Sequence, residues 1–225
     1  KPAEQTPLAA AAIVRHLLAA GVPGSVLHLL PGDGATIGGR LVADRRVDGI
    51  AFTGSIETAK AINRTLADRD GAIVPLIAET GGLNAMIVDS SALAEQVVKD
   101  VITSAFRSAG QRCSALRVLF LQEETADRII KMLCGAMEEL VVGDPGSLAT
   151  DIGPVIDSDA LAALESHATR MAREGNLLYR VPVPHDCAEG SFFGPAAFEI
   201  DGLARLEGET FGPILHIVRY RSDRL

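Results

Sequence analysis

Ser108-Ala109-Gly110-Gln111-Arg112-Cys113-Ser114-Ala115 is the stretch from which the rest of this chain is read. An apolar-periodic run over 92–107 precedes it, and a short apolar segment over 116–121 follows. That order places a cysteine in a glycine-containing turn between a helix and a strand. Glycine lets the backbone come close to a ligand, so a thiol in such a turn can face a cleft. On composition alone a cysteine packs as a small hydrophobe more often than it reacts, so the other segments must decide between the two readings.

Working outward, 225 residues with 48% hydrophobic content can bury a sizeable core in one or two domains. A net charge of −8 argues against a nucleic-acid binder, which carries a basic face. Three cysteines at wide spacing make no disulfide framework, which points to a reducing compartment and free thiols. No uninterrupted apolar run is long enough to span a bilayer, and the first residues lack a signal-peptide pattern. The chain opens on Lys1, enters a helical pattern within a few residues and stops just after a strand-like run, so it reads as an internal piece of something longer.

Before the cysteine, Thr6 and Pro7 open a helix that ends before Gly21. Residues 25–30 read as a buried strand closed by Pro31-Gly32, and a second helix is expected over 35–43. A short strand over 49–52, a third helix from Ser55 to about Leu66 and a strand over 74–78 follow. Alternating helix and strand with short connections predicts parallel crossovers, half of a doubly wound nucleotide-binding layout. Gly81-Gly82 is the expected boundary, which divides the chain into 1–80 and 81–225. Beyond it, strands are expected over 84–88, 116–121, 177–181 and 214–220, and helices over 92–107, 124–139 and 157–174. Val97, Val98, Val101 and Ala105 share one face of the first of these helices. Both parts are α/β.

Several segments carry candidate chemistry. Gly32-x-Gly34-x-x-x-Gly38 is one residue off the dinucleotide fingerprint and lacks its downstream acid, so it reads as turn chemistry. Thr53-Gly54-Ser55 joins a strand to a helix start, where free N–H groups favour phosphate; an ordinary N-cap by Ser55 reads equally well. Glu79 ends an apolar strand where parallel sheets bind ligands, a place that suits a general base; a solvated strand-end carboxylate is the plainer reading. In Glu209-Thr210-Phe211-Gly212-Pro213 an extended backbone points Glu209 and Phe211 to one side, which suits a ribose hydroxyl and a flat heterocycle; the alternative is a turn with a buried ring. His185 and Cys187 have no second pair, so no metal site is expected. His16, His28, His167 and His216 read as packing or surface residues, and Cys134 as core. A thiol hydrolase built on Cys113 would need a histidine partner, and none is placed for it.

Taken together these segments resemble the aldehyde dehydrogenase superfamily. The likeness is carried by Lys1-Pro2-Ala3-Glu4-Gln5-Thr6-Pro7, Phe52-Thr53-Gly54-Ser55, Glu79-Thr80-Gly81-Gly82, Gly110-Gln111-Arg112-Cys113 and Glu209-Thr210-Phe211-Gly212-Pro213, in the family's order. Residues 61–66, 84–93 and 113–117 resemble in particular the pyrroline-5-carboxylate dehydrogenase domain of the proline utilization A proteins. Ala59 departs from the glycine many relatives carry, and Leu83 stands where a polar residue is expected.

The resemblance implies NAD-dependent oxidation of glutamate γ-semialdehyde to glutamate in a cytoplasmic enzyme of proline catabolism. It makes 1–80 the later part of a Rossmann-type NAD-binding domain and 81–225 a truncated catalytic domain. Cys113 matches the nucleophile and Glu79 the base. Lys1 and Glu4 match the adenosine-ribose contacts, and Ser55 the diphosphate contact with Gly81 nearby. Glu209 matches the nicotinamide-ribose carboxylate with Phe211 beside the ring, and Ser114 lies near the substrate carboxylate. The partners implied are a small aldehyde, a proline dehydrogenase domain in the parent chain and further copies in a homo-oligomer. The resemblance also implies an oxyanion-donating asparagine before Lys1 and a substrate-carboxylate loop after Leu225, so the piece alone is expected to be inactive. An aldehyde dehydrogenase of other specificity, or a piece that only binds or packs, is the alternative.

Overall fold

Residues 1–223 are described by the computed structural model; Arg224 and Leu225, the last two of the expected 81–225 domain, lie outside the described residues. The chain divides into two units, Lys1–Gly81 and Gly82–Leu225.

In the first unit Pro7 opens α1 (Pro7–Ala19), where its missing N–H would have no partner anyway. Thr6 stands at the cap position, but its hydroxyl makes no capping bond. The helix expected over 35–43 is divided: a wide π-type turn, Gly34–Gly38, runs into the short α2 (Gly39–Ala43). Asp33 caps the turn by accepting from the Thr36 N–H at 2.6 Å. β1 (Ile50–Gly54) and β2 (Leu76–Thr80) pair in parallel and are connected by α3 (Ile56–Ala67). Residues 25–30 do not form the expected strand. An extended segment becomes a strand only with a ladder neighbour, and Val26 instead closes a turn onto the Pro23 carbonyl.

The second unit is built on five strands: β3 (Ala85–Val88), β4 (Val118–Gln122), β5 (Asn176–Arg180), β6 (Ala196–Glu199) and β7 (Ile214–Tyr220). Their order across the sheet is β3-β4-β7-β6-β5. All neighbours are parallel except β5 and β6, which run antiparallel at one edge. β4 reads as a continuous apolar run because a parallel strand with helices packed on the sheet is buried on both sides, and Val118, Leu119 and Leu121 are fully buried. Helices α4 (Ala94–Val101), α5 (Glu123–Glu138) and α6 (Ser158–Glu174) supply the remaining layers. The apolar stripe of α5, Ile129, Ile130, Leu133 and Met137, is buried as its periodicity predicts; each such side chain contributes about 1.5–3 kcal/mol. α4 stops before the expected end at 107, passes through a wide turn, Ile102–Phe106, and enters a tight turn, Arg107–Gly110. Among the described residues no helix is long and apolar enough to cross a membrane.

Candidate active site

The backbone around Cys113 is fastened from three sides. Asn84, just before β3, donates from Nδ2 to the carbonyls of Cys113 (2.7 Å) and Ala115 (3.0 Å). Its own carbonyl accepts from the N–H groups of Arg117 (3.0 Å) and Val118 (3.1 Å). The Leu116 N–H bonds Ser104 at 3.2 Å, and Gln111 Oε1 accepts from the Ile156 N–H at 2.8 Å. The side chain so mounted is exposed: Cys113 is a free thiol at the surface of this unit, with Ser114 exposed beside it. Arg112 turns away to donate to Ser108 Oγ at 2.9 and 3.1 Å.

The approach to this turn is strained. Ser108 (φ 56°), Ala109 (φ 51°) and Gly110 (φ 63°) are left-handed in succession, which for a residue with a Cβ costs about 1–2 kcal/mol. Gly110 has a second constraint. A Cβ there would overlap the carbonyl of Gly212, so the Cys113 turn and the turn after Phe211 lie backbone against backbone.

Arg117, the residue before β4, joins these two turns from beneath. It is fully buried. Its guanidinium donates to Glu209 Oε1 at 3.0 and 3.3 Å, to the Gly212 carbonyl at 2.9 Å and to the Arg112 carbonyl at 3.3 Å. It also lies 5.3 Å from the Phe211 ring centroid, a cation–π contact. Burial pulls its pKa below the usual value and the Glu209 carboxylate partly offsets that; a guanidinium is basic enough to stay charged. Glu209 and Phe211 thus face one cation, in keeping with an extended segment that directs both to one side. Arg117 engages Glu209 through Oε1, and Phe211 is 46% exposed, so part of each faces outward.

The remaining candidates belong to the first unit. Lys1 Nζ lies 3.6 Å from Glu4 Oε1, which also accepts from the Gly34 N–H at 2.6 Å. Glu4, Pro31, Gly32 and Asp33 line a shallow hollow there. Ser55 caps α3, accepting from the Thr58 N–H at 3.2 Å. Glu57 in the first turn is held below its ordinary pKa by its own backbone N–H and then by the Ser55 hydroxyl, so this helix start already favours an anion. Glu79 is exposed on β2, in register with Thr53, and Gly81 closes the unit.

Arg117 and Asn84 were not singled out as site residues from the sequence. An arginine inside an apolar run was the available signal, since a buried charge must be paired. For Asn84 the signal was weaker: a small polar side chain at a strand start, next to two glycines. Cys134 and Cys187 are held differently from Cys113, and burial pushes both thiols up.

The aldehyde dehydrogenase family profile matches residues 1–224, and the chain belongs to that family. It is 55% identical over 233 residues to bifunctional protein PutA of Escherichia coli (strain K12), a match covering 100% of this chain and 18% of that protein. A crystal structure of a variant of proline utilization A from Bradyrhizobium japonicum superimposes with a TM-score of 0.94 at 55% identity, over 99% of this chain and 22% of that one. 1-Pyrroline-5-carboxylate dehydrogenase from Thermus with bound NAD superimposes with a TM-score of 0.90 at 29% identity, over 98% of this chain and 43% of that one. The chain therefore spans about a fifth of the length of the PutA relatives.

Proposed function

We propose that the full-length protein carrying this chain oxidises glutamate γ-semialdehyde, the open form of pyrroline-5-carboxylate, to glutamate with NAD. The observation that carries this is the exposed Cys113 thiol on a turn clamped by Asn84, with Glu209 and Phe211 held by Arg117 on the adjoining turn. Likeness to PutA and to a pyrroline-5-carboxylate dehydrogenase supports the substrate class and a place in proline catabolism. In this reading 1–80 belongs to the NAD-binding domain and 81–225 to the catalytic domain, and the parent chain also carries a proline dehydrogenase domain and assembles as a homo-oligomer.

The donor set fits NAD. A carboxylate and an ammonium 3.6 Å apart, Glu4 and Lys1, suit the hydroxyls of the adenosine ribose. The start of α3 at Ser55 suits the diphosphate, where free N–H groups and the dipole favour anions, and Gly81 follows Thr80, which pairs with Gly54 just before that start. Glu209 suits the nicotinamide ribose and Phe211 the ring. When bound, NAD supplies the acceptor for the hydride that leaves the aldehyde carbon.

The chain's own residues do the rest. The Cys113 thiolate attacks the aldehyde carbon, forming a carbon–sulfur bond and an oxyanion toward which the Cys113 backbone N–H acts as donor. Ser114 orients the substrate carboxylate. After oxidation the acyl group is held as a thioester. Glu79 then takes a proton from water, the hydroxide attacks the acyl carbon, and Cys113 leaves as thiolate.

The test is to follow NADH formation by the full-length protein with pyrroline-5-carboxylate and with simple aliphatic aldehydes. A kcat/KM at least about tenfold higher for the former is expected. Equal efficiency across the set overturns the substrate, and full turnover by Cys113→Ala overturns the mechanism.

A further inference from the structure

Two histidines of the second unit form a pair that this chemistry leaves unused. His167 on α6 and His216 on β7 face each other edge to face, Nε2 to Nε2 at 2.9 Å. Their neighbours fix every proton. The Arg117 carbonyl can only accept, so His216 Nδ1, 3.1 Å away, carries a hydrogen and donates it. A neutral His216 then has a bare Nε2, which accepts from the His167 Nε2–H. His167 Nδ1 is consequently bare and accepts from the Thr210 hydroxyl at 3.2 Å and from Arg170 Nη2 at 3.4 Å.

Both rings are kept neutral by their surroundings. Burial, first of all, lowers the pKa of each to about 4. Arg170 opposes protonation of both, while Glu174 and Glu207 favour it at His167. At His216 the charges of His167 and Arg117 also oppose it, and only the bond to the Arg117 carbonyl favours it.

The result is a one-way donor chain, Thr210 to His167 to His216 to Arg117. It begins on the residue between Glu209 and Phe211 and ends on the main chain of the arginine that grips Glu209. Arg117 holds the two flanking side chains, but a rotation of the main chain at Thr210 would redirect both. The hydroxyl bond to His167 resists that rotation.

We propose that His167 and His216 are positioning residues, which hold Glu209 and Phe211 in the orientation that receives the nicotinamide riboside. This rests on the reading of those two side chains as cofactor contacts.

The test compares dissociation constants for NAD and for ADP, which lacks the nicotinamide riboside, measured by calorimetry on the full-length protein. Thr210→Val deletes one hydroxyl at constant shape, and His167→Phe removes all three ring contacts, to His216, Thr210 and Arg170. Each is expected to weaken NAD about three- to tenfold, the range for the one Thr210–His167 hydrogen bond that both variants lose, with ADP unchanged. The double variant should match His167→Phe alone, because both act through one chain. Glu209→Gln separates the two claims. If it weakens NAD relative to ADP while Thr210→Val and His167→Phe do not, the positioning role is overturned and the cofactor contact stands. If Glu209→Gln leaves the ratio unchanged, the cofactor contact fails and the proposal with it. Parallel loss of NAD and ADP binding in both variants marks a general packing role and also overturns it. Should His167→Phe fail to fold, Thr210→Val decides alone.

Discussion

Arg117 Nη2 meets Glu209 Oε1 at 3.0 Å across a sequence separation of 92 residues, and the pair is lopsided: the Arg117 side chain is 1% exposed and that of Glu209 17%. The cation has no route to water, while the carboxylate does. A desolvated arginine is tolerable only when its donors are met, and here one carboxylate oxygen and two main-chain carbonyls meet them. The pair therefore serves as a mount, with its outward side on Glu209.

Replacing that mount should be costly in a graded way. Arg117→Lys keeps the charge but cannot span Glu209 and both carbonyls, so a loss of about 1–3 kcal/mol is expected. Arg117→Met leaves Glu209 part-buried without its cation and should cost about 3–5 kcal/mol. Urea unfolding of the full-length protein measures both. A methionine variant as stable as the parent would show that the pair holds nothing.

A small alkylating agent should modify Cys113 before either other cysteine. Cys113 is exposed, whereas Cys187 is buried and burial raises the Cys134 and Cys187 thiols. Peptide mapping after partial labelling should show an adduct at Cys113 in step with activity loss. Inactivation that tracks Cys134 instead would remove Cys113 from the reaction.

Glu79→Gln should slow thioester hydrolysis more than the oxidation step, since an amide keeps the shape but takes no proton. Rapid mixing should reveal a burst of NADH and then turnover lowered by on the order of a hundredfold. Equal slowing of the burst and the steady state would assign Glu79 some other task.

The histidine pair makes a pH signature. Folded, both rings titrate near 4 against an ordinary 6.5. Between those values the unfolded chain binds more protons, so stability is complete above about 6.5 and declines as pH falls toward 4. Two protons set a slope of at most about 2.7 kcal/mol per pH unit, and partial exposure of His167 lowers it further. His216→Leu should flatten the decline when unfolding is compared near pH 7, about 5.5 and about 4.5. An unchanged slope would show that His216 does not contribute.

The parts legible in the sequence were those whose signals are local. Periodicity marked α4 and α5, the apolar run marked β4, and a glycine turn marked the mounting of Cys113. Residues 25–30 looked like a strand because composition reports apolar content and not the presence of a ladder neighbour. β6 escaped notice because Ala196-Ala197-Phe198-Glu199 is short and alanine-rich, and its antiparallel pairing with β5 departs from the parallel pattern elsewhere. The role of Arg117 was hidden because its carboxylate is 92 residues away. The direction of the His167–His216 bond depends on which acceptor lies behind each ring, which residue order does not show.

Gly110 and Gly212 touch through main chain alone, and a side chain at Gly212 would in turn run into Leu164 of α6. Anyone building a chimera with another family member should treat the turn over 108–115, the turn over 209–213 and this part of α6 as one cassette. A donor turn whose main chain stands even slightly proud would find no give, because two backbones and a leucine already fill the gap. Recombination break points that separate these three pieces should yield few functional offspring, however conservative each exchange looks by itself.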